Sequence, residues 1–227
     1  AVDALARRAG IGWGTVVLDV CAGLGGPARF LADRYGARVV GVDLTHARCA
    51  AGRRLCRLVR LPRLSLDAVH PGTAPLLVFA ADLQDPGNLG TVIRTAAAAG
   101  ATMVCVSAGS ASPRNPKAVR ASAGSLFRIP VIEGAAVSDF LDYCGRHSIS
   151  AYRTDVRHGT SYLEADLRSP CAILLGNEGG GIPEAEFPGL GALRIPMAGG
   201  VESMNVAMAA AVILFEAARQ RTPAGTA

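Results

Sequence analysis

Three short stretches of this chain hold polar residues whose types and spacing suit work on a charged, nucleoside-like ligand. The first is Asp85-Pro86-Gly87-Asn88, good turn chemistry, with Asn88 expected as the N-cap of a helix that carries Arg94 six residues on. Capping accounts for Asn88. Arg94 sits among Ile93, Thr95 and a run of alanines, where a guanidinium needs an anionic ligand or a carboxylate unless it faces solvent. The second stretch is Gly176-Asn177-Glu178-Gly179-Gly180-Gly181, whose glycines let backbone approach a ligand closely. Glu178 would repel a triphosphate, and no Lys-Ser or Lys-Thr pair follows to hold phosphate or magnesium. A ligand bearing positive charge is tolerated better, although a plain glycine turn also accounts for this loop when it stands alone. The third stretch runs from Arg194-Ile195-Pro196-Met197 to Glu202-Ser203-Met204-Asn205-Val206 and leads into a very apolar helix. Ser203 is placed to cap that helix, and Asn205, polar at the edge of an apolar run, asks for a further explanation.

The elements that must position these stretches alternate. Strands are expected over 76–80, 102–107, 150–154, 171–175 and 192–196. Helices are expected over 89–99, stopped by Gly100, near 116–121, over 138–146 with Ser138 as N-cap, and over about 204–219. Such alternation predicts an α/β fold with a mainly parallel sheet, whose ligand crevice lies beyond the carboxyl ends of the strands. All three stretches follow an expected strand, so they can converge there.

Composition narrows the function classes. Of 227 residues half are hydrophobic, enough for a full core, and apolar runs such as 206–215 are well short of the roughly 20 residues a membrane span needs. The start carries Asp3, Arg7 and Arg8 in place of a long apolar core, so no secretory signal is expected. Six scattered cysteines without a Cys-x-x-Cys pair, and four dispersed histidines, imply no metal site and fit reduced thiols in a cytoplasm. The net charge of +5 points to an acidic partner, but it sits at the front. Residues 1–64 hold eleven Lys and Arg against four Asp and Glu, whereas residues 65–227 hold twelve against fourteen. The densest patch, Arg48 to Arg63, reads as one basic helix face, which suits phosphates or plain solvation.

The front differs from the rest. Strands over 15–20 and 38–42 with a helix over 26–35 between them make a βαβ unit. Val17-Leu18-Asp19-Val20-Cys21-Ala22-Gly23-Leu24-Gly25-Gly26, followed by Gly41-Val42-Asp43, resembles the class I Rossmann-type methyltransferases, although the same spacing suits a dinucleotide enzyme. The strands that would complete such a sheet are missing. The expected organisation is therefore a partial Rossmann-like segment over 1–64, a linker over 65–75, the main domain over 76–221 and a tail over 222–227.

The three stretches together resemble the SpoU/TrmH family. Leu83-Gln84-Asp85-Pro86-Gly87-Asn88-Leu89-Gly90 with Arg94 resembles its first motif, Leu175-Gly176-Asn177-Glu178-Gly179 with Ile182 its second, and Ile195-Pro196-Met197 with Ser203-Met204-Asn205-Val206-Ala207 its third. Asn115-Pro116-Lys117 and Arg120-Ala121-Ser122-Ala123-Gly124 also resemble a family segment. The resemblance implies a SPOUT-type α/β fold with a C-terminal trefoil knot, homodimers with the site at the subunit interface, and RNA as partner. It implies methyl transfer from S-adenosylmethionine to a ribose 2'-hydroxyl of rRNA or tRNA. It places Gly176, Asn177, Gly179, Ile195, Met197, Met204 and Val206 at the donor, and Asn88, Arg94, Glu178, Ser203 and Asn205 around the reacting ribose. Two other functions compete: a class I small-molecule methyltransferase led by the front motif, and a non-catalytic RNA-binding or dimerisation module.

Overall fold

The computed structural model describes residues 6–7, 9–13, 15–20, 38–42, 64–176, 182, 187, 189–199 and 202–222. The chain divides into two compact units, Ala1–Leu61 and Pro62–Ala227. In the first, strands β1 (Val16–Val20) and β2 (Arg38–Val42) pair in parallel, Val16 opposite Arg38 through Val20 opposite Val42. The expected helix over 26–35, the glycine turn, Asp43 and the Arg-rich helix lie outside the described residues.

The second unit is built on a parallel sheet of seven strands in the order β5-β4-β3-β8-β6-β9-β7. These are β3 (Leu76–Ala80), β4 (Met103–Ser107), β5 (Val131–Ala135), β6 (Ser150–Thr154), β7 (Thr160–Ser161), β8 (Cys171–Leu175) and β9 (Gly191–Arg194). The centre, β3 and β8, is buried at every residue, as parallel strands covered on both faces must be. Leu77 and Phe79 pack on one face with Met103, Phe140 and Tyr143, the two phenylalanine rings 4.9 Å apart. Four helices cover the sheet: α1 (Pro86–Ala98), α2 (Pro116–Ala121), α3 (Val137–Arg146) and α4 (Val206–Arg221).

Several expectations are corrected by local chemistry. Asp85, not Asn88, caps α1: its carboxylate accepts from the Gly87 and Asn88 amides, and Pro86 fills the first helical position, where its missing N–H is no loss. Asn205, not Ser203, caps α4, accepting from Ala207 N at 2.9 Å and Met208 N at 3.3 Å. Helix α3 begins after Ala136 with no side-chain cap, so Ser138 lies inside it. Strands β5 and β7 had no counterpart in the sequence pattern. Residues 65–75 do not run free: a 3-10 turn spans Leu66–Ala68, Leu64, Leu66 and Val69 pack on the core, and Tyr143 donates its hydroxyl proton to the Val69 carbonyl at 2.7 Å.

The end of α4 is tied back to the starts of the central strands. Arg221 donates to the carbonyls of Ala74, Pro75, Leu167 and Ser169. Between α1 and α2 the fit is tight at Gly90, where a Cβ would lie 2.3 Å from the Ala118 carbonyl oxygen. Any larger residue there would push α1, and with it Arg94, away from α2.

Candidate active site

The loop after β3 is held by hydroxyls from the loop after β4. Asp82, at a positive φ of 53°, donates its amide to Ser107 Oγ at 2.9 Å, and Ser107 returns its proton to Asp82 Oδ1 at 3.0 Å. Ser110 Oγ accepts from Leu83 N at 3.0 Å, and Gln84 donates to the Gly109 carbonyl at 2.7 Å. This lattice sets the direction in which Asp85 starts α1. Because Asp85 supplies the cap, the Asn88 side chain is released for another partner.

That partner is Asn205. Its Nδ2 donates to Asn88 Oδ1 at 3.2 Å while its Oδ1 caps α4. The amino ends of α1 and α4 therefore meet at one polar corner, and both helix dipoles present positive partial charge there. Lys117 of α2 joins from the side, its ammonium 2.8 Å from Asp85 Oδ2. The Lys117 ammonium and the Gly87 and Asn88 amides together hold the Asp85 carboxyl below its usual value.

A cavity of about 480 Å³ opens beyond the carboxyl ends of β6 and β8. Gly176 from the second stretch and Ile195, Met197, Ser203, Met204 and Val206 from the third line it. Every expected donor residue that lies among the described residues is therefore on its wall, and Ser203 is there too. Asn177, Glu178 and Gly179 lie outside the described residues. Asn88, Arg94 and Asn205 are not on the wall. Arg94 is exposed on α1, and no hydrogen bond or ion pair joins it to another described residue.

Sequence reasoning missed one polar pair on this wall. Arg153, in β6, is only 4% exposed and forms an ion pair with Asp155. Asp155 Oδ1 also accepts from Arg157 N at 2.8 Å and His158 N at 2.9 Å. Burial raises the Asp155 carboxyl, but the His158 and Arg157 amides and the Arg153 guanidinium outweigh it and bring the group to about 2. The available signal was Arg-Thr-Asp at the end of the expected strand 150–154, with Asp155 set to form a turn over the next residues. Arg153 and Arg157 line the cavity together with Asp155 and Glu202, so its charges balance, and this polar end beside an apolar wall of Ile195, Met197, Met204 and Val206 fits a nucleoside-sized ligand. Among the described residues no group of three or more His, Cys, Asp or Glu could hold a metal ion.

The chain resembles a family of RNA methylases and several of its named members. Residues 75–215 match the SpoU rRNA Methylase family. The chain is 39% identical over 145 residues to the 23S rRNA (guanosine(2553)-2'-O)-methyltransferase RlmP of Bacillus subtilis, a match to 63% of this chain and 58% of that protein. It is 36% identical over 184 residues to the 23S rRNA (guanosine-2'-O-)-methyltransferase RlmB of Xylella fastidiosa, 81% of this chain and 74% of that one. Its fold superposes on the SpoU methyltransferase AviRb of Streptomyces viridochromogenes in complex with AdoMet, with a TM-score of 0.73 and 27% identity, over 97% of this chain and 88% of the other. The family match covers more than half of the chain, and the convergence of its second and third stretches on one cavity agrees with it. The chain belongs to the SpoU rRNA methylase family.

Proposed function

We propose that this chain transfers a methyl group from S-adenosylmethionine to a ribose 2'-hydroxyl of ribosomal RNA. The observation that carries this reading is the donor-sized cavity, walled by both glycine-proline loops, on the same unit as the polar Asn88 and Asn205 corner. RlmP and RlmB are named for 2'-O-methylation of 23S rRNA, which favours rRNA over tRNA as the substrate. A place in the cytoplasm goes with this reading, and among the described residues no helix is long and apolar enough to cross a membrane.

Bound S-adenosylmethionine supplies an electrophilic methyl carbon on a sulfonium, which leaves as a neutral thioether when a hydroxyl oxygen attacks in line. Gly176 lets backbone approach the donor, with Asn177 and Gly179 beside it, while Ile195, Met197, Met204 and Val206 give an apolar bed. Asn88, Glu178, Ser203 and Asn205 orient the ribose, so positioning supplies much of the rate. Arg94 acts as a fixed cation at the forming alkoxide or the adjacent phosphate. The guanidinium of Arg94 offers five donors and no acceptor, so it stabilises charge and is not the base. Water or another group takes the hydroxyl proton.

Arg94 is exposed and off the cavity wall, and α4 leaves Met208 57% and Phe215 51% exposed with Met204 at its start. We read this as one half of a homodimer, in which the apolar stripe is covered and a second copy completes the site. The C-terminal trefoil knot goes with the same reading, supported by the placement of β8 between β3 and β6. The test is transfer of labelled methyl from S-adenosylmethionine to purified 23S rRNA and tRNA, with the modified ribose mapped. Methyl on a 23S rRNA ribose is expected; donor binding without transfer to any RNA would sink the proposal.

A further inference from the structure

Charge in the second unit is strongly segregated. Residues 86–132 contain Arg94, Arg114, Lys117, Arg120 and Arg128 and not one Asp or Glu, whereas the rest of 65–227 holds seven cations against fourteen acids. A unit that is slightly acidic in sum therefore has one wholly cationic stretch. That stretch folds into α1, β4, α2 and a 3-10 turn over Ser125–Phe127, and α1 packs on both α2 and the turn.

Lys117 and Arg120, three residues apart on α2, share its solvent face, and Arg128 is exposed just after the turn. Phe127, the last residue of the turn and the neighbour of Arg128, keeps 44% of its surface in solvent. Lys117 rests on Asp85 with 55% and 45% of the two side chains exposed. A pair that wet is held weakly, so a phosphate can take the place of Asp85. Asp85 caps the helix of Asn88, so this basic face runs up to the corner where Asn88 meets Asn205.

Exposed cations on consecutive elements with an exposed ring in the same stretch match a single-stranded nucleic acid, whose phosphates meet the cations while an unstacked base lies on the ring. A duplex keeps its bases from such a ring. A second copy in a two-fold contact would bring the same positive patch against itself, which repels. We propose that the outer face of α2 and the turn that ends at Arg128 is the docking surface for an unpaired segment of the substrate RNA. Lys117, Arg120 and Arg128 take its phosphates and Phe127 stacks on a base. This rests on the reading of the chain as an RNA ribose methyltransferase.

The test uses the full chain and a fluorescein-labelled RNA hairpin with a mixed-sequence unpaired loop, its affinity followed by anisotropy across a salt series. Substituting Lys117→Gln, Arg120→Gln and Arg128→Gln together should flatten the slope of log affinity against log salt by about 2, since each phosphate contact on a single strand contributes roughly 0.7. Arg128→Gln alone should flatten it by about a third of that. Phe127→Ala should weaken binding roughly 5- to 150-fold, the range of one stacked base, with Phe127→Trp near wild type and Phe127→Leu as weak as alanine. S-adenosylmethionine affinity by calorimetry should not move, which shows the fold intact. A wild-type slope in the triple variant would overturn the surface, as would wild-type binding by Phe127→Leu or a changed sedimentation coefficient in the variants. Wild-type protein that binds the hairpin through this face yet methylates no RNA would sink the enzyme reading and leave the surface standing. Methylation with an unchanged slope in the variants would do the reverse.

Discussion

The cavity and the corner are two neighbouring regions built in opposite ways. The cavity is concave, mostly apolar and walled by residues 153–213, with an ion pair, Arg153 and Asp155, formed inside the wall. The corner is exposed, joins residues 117 positions apart, and has beside it on α1 an arginine with no described partner. The first region is finished by folding; the second is finished by something that binds. On the proposed function, the difference would separate donor capture, a property of one folded chain, from methyl transfer, a property of the assembly with RNA.

The largest test of that separation is Arg94→Ala. Loss of one preorganised cation at a developing oxyanion should lower methyl transfer by about 10²- to 10³-fold while donor affinity stays at wild type. Arg94→Lys keeps the charge but loses the fork, and full activity in it would rule out two-pronged positioning. Next comes the helix stripe: Met208→Asp with Phe215→Asp should give a monomer in sedimentation that still binds donor and has lost most of its methyl transfer. A dimeric double variant would break the assembly half of the comparison.

Asn205 sharpens the corner. Asn205→Ala removes a helix cap, at about 1 kcal/mol, and should lower the Tm by a few degrees. Asn205→Ser restores the cap but cannot reach Asn88, so it should regain the Tm and keep a defect in transfer. Equal transfer in Asn205→Ser and wild type would make the bridge to Asn88 dispensable.

The smallest effect is a pH dependence inside the cavity wall. Asp155 sits at about 2 when folded and near its ordinary value of about 3.9 when unfolded. Its contribution is therefore fully present above about pH 4 and is lost as the pH falls toward 2. The Tm advantage of wild type over Asp155→Asn should shrink across that window and stay constant between about pH 5 and 7. An advantage that grows on acidification would contradict the assigned ionised state.

Much of the scaffold is written in local patterns. The runs Leu76–Ala80 and Cys171–Leu175 are apolar throughout because both faces of the sheet are covered there, and such runs are readable without a partner. Strand β5 hides because Glu133 and Gly134 interrupt it at the sheet edge, and β7 is two residues long. The caps were misplaced because Asp85 and Asn88, or Ser203 and Asn205, are chemically equivalent candidates a few positions apart. Pro86 and the geometry of the turn choose between them. Loop positions were legible from glycine and proline, but the Asn88 to Asn205 bridge spans most of the unit and no local pattern encodes it. Arg153 and Asp155 do not stand out in the sequence because a charged residue is normally exposed, and only the pairing seen in the fold lets Arg153 be buried. Glu178 and its glycines, prominent in sequence, lie outside the described residues.

The Arg221 clamp bears on how the molecule is made. Its guanidinium holds the Ala74 carbonyl across 147 residues, and the same side chain reaches the segment that leads into β8. Synthesis runs from the amino end at roughly 5–20 residues per second, so the first central strand waits many seconds before the group that fastens it leaves the ribosome. Helix α4, which packs on α1, arrives with it. The nascent chain is thus held open until α4 emerges, and the clamp shuts only then.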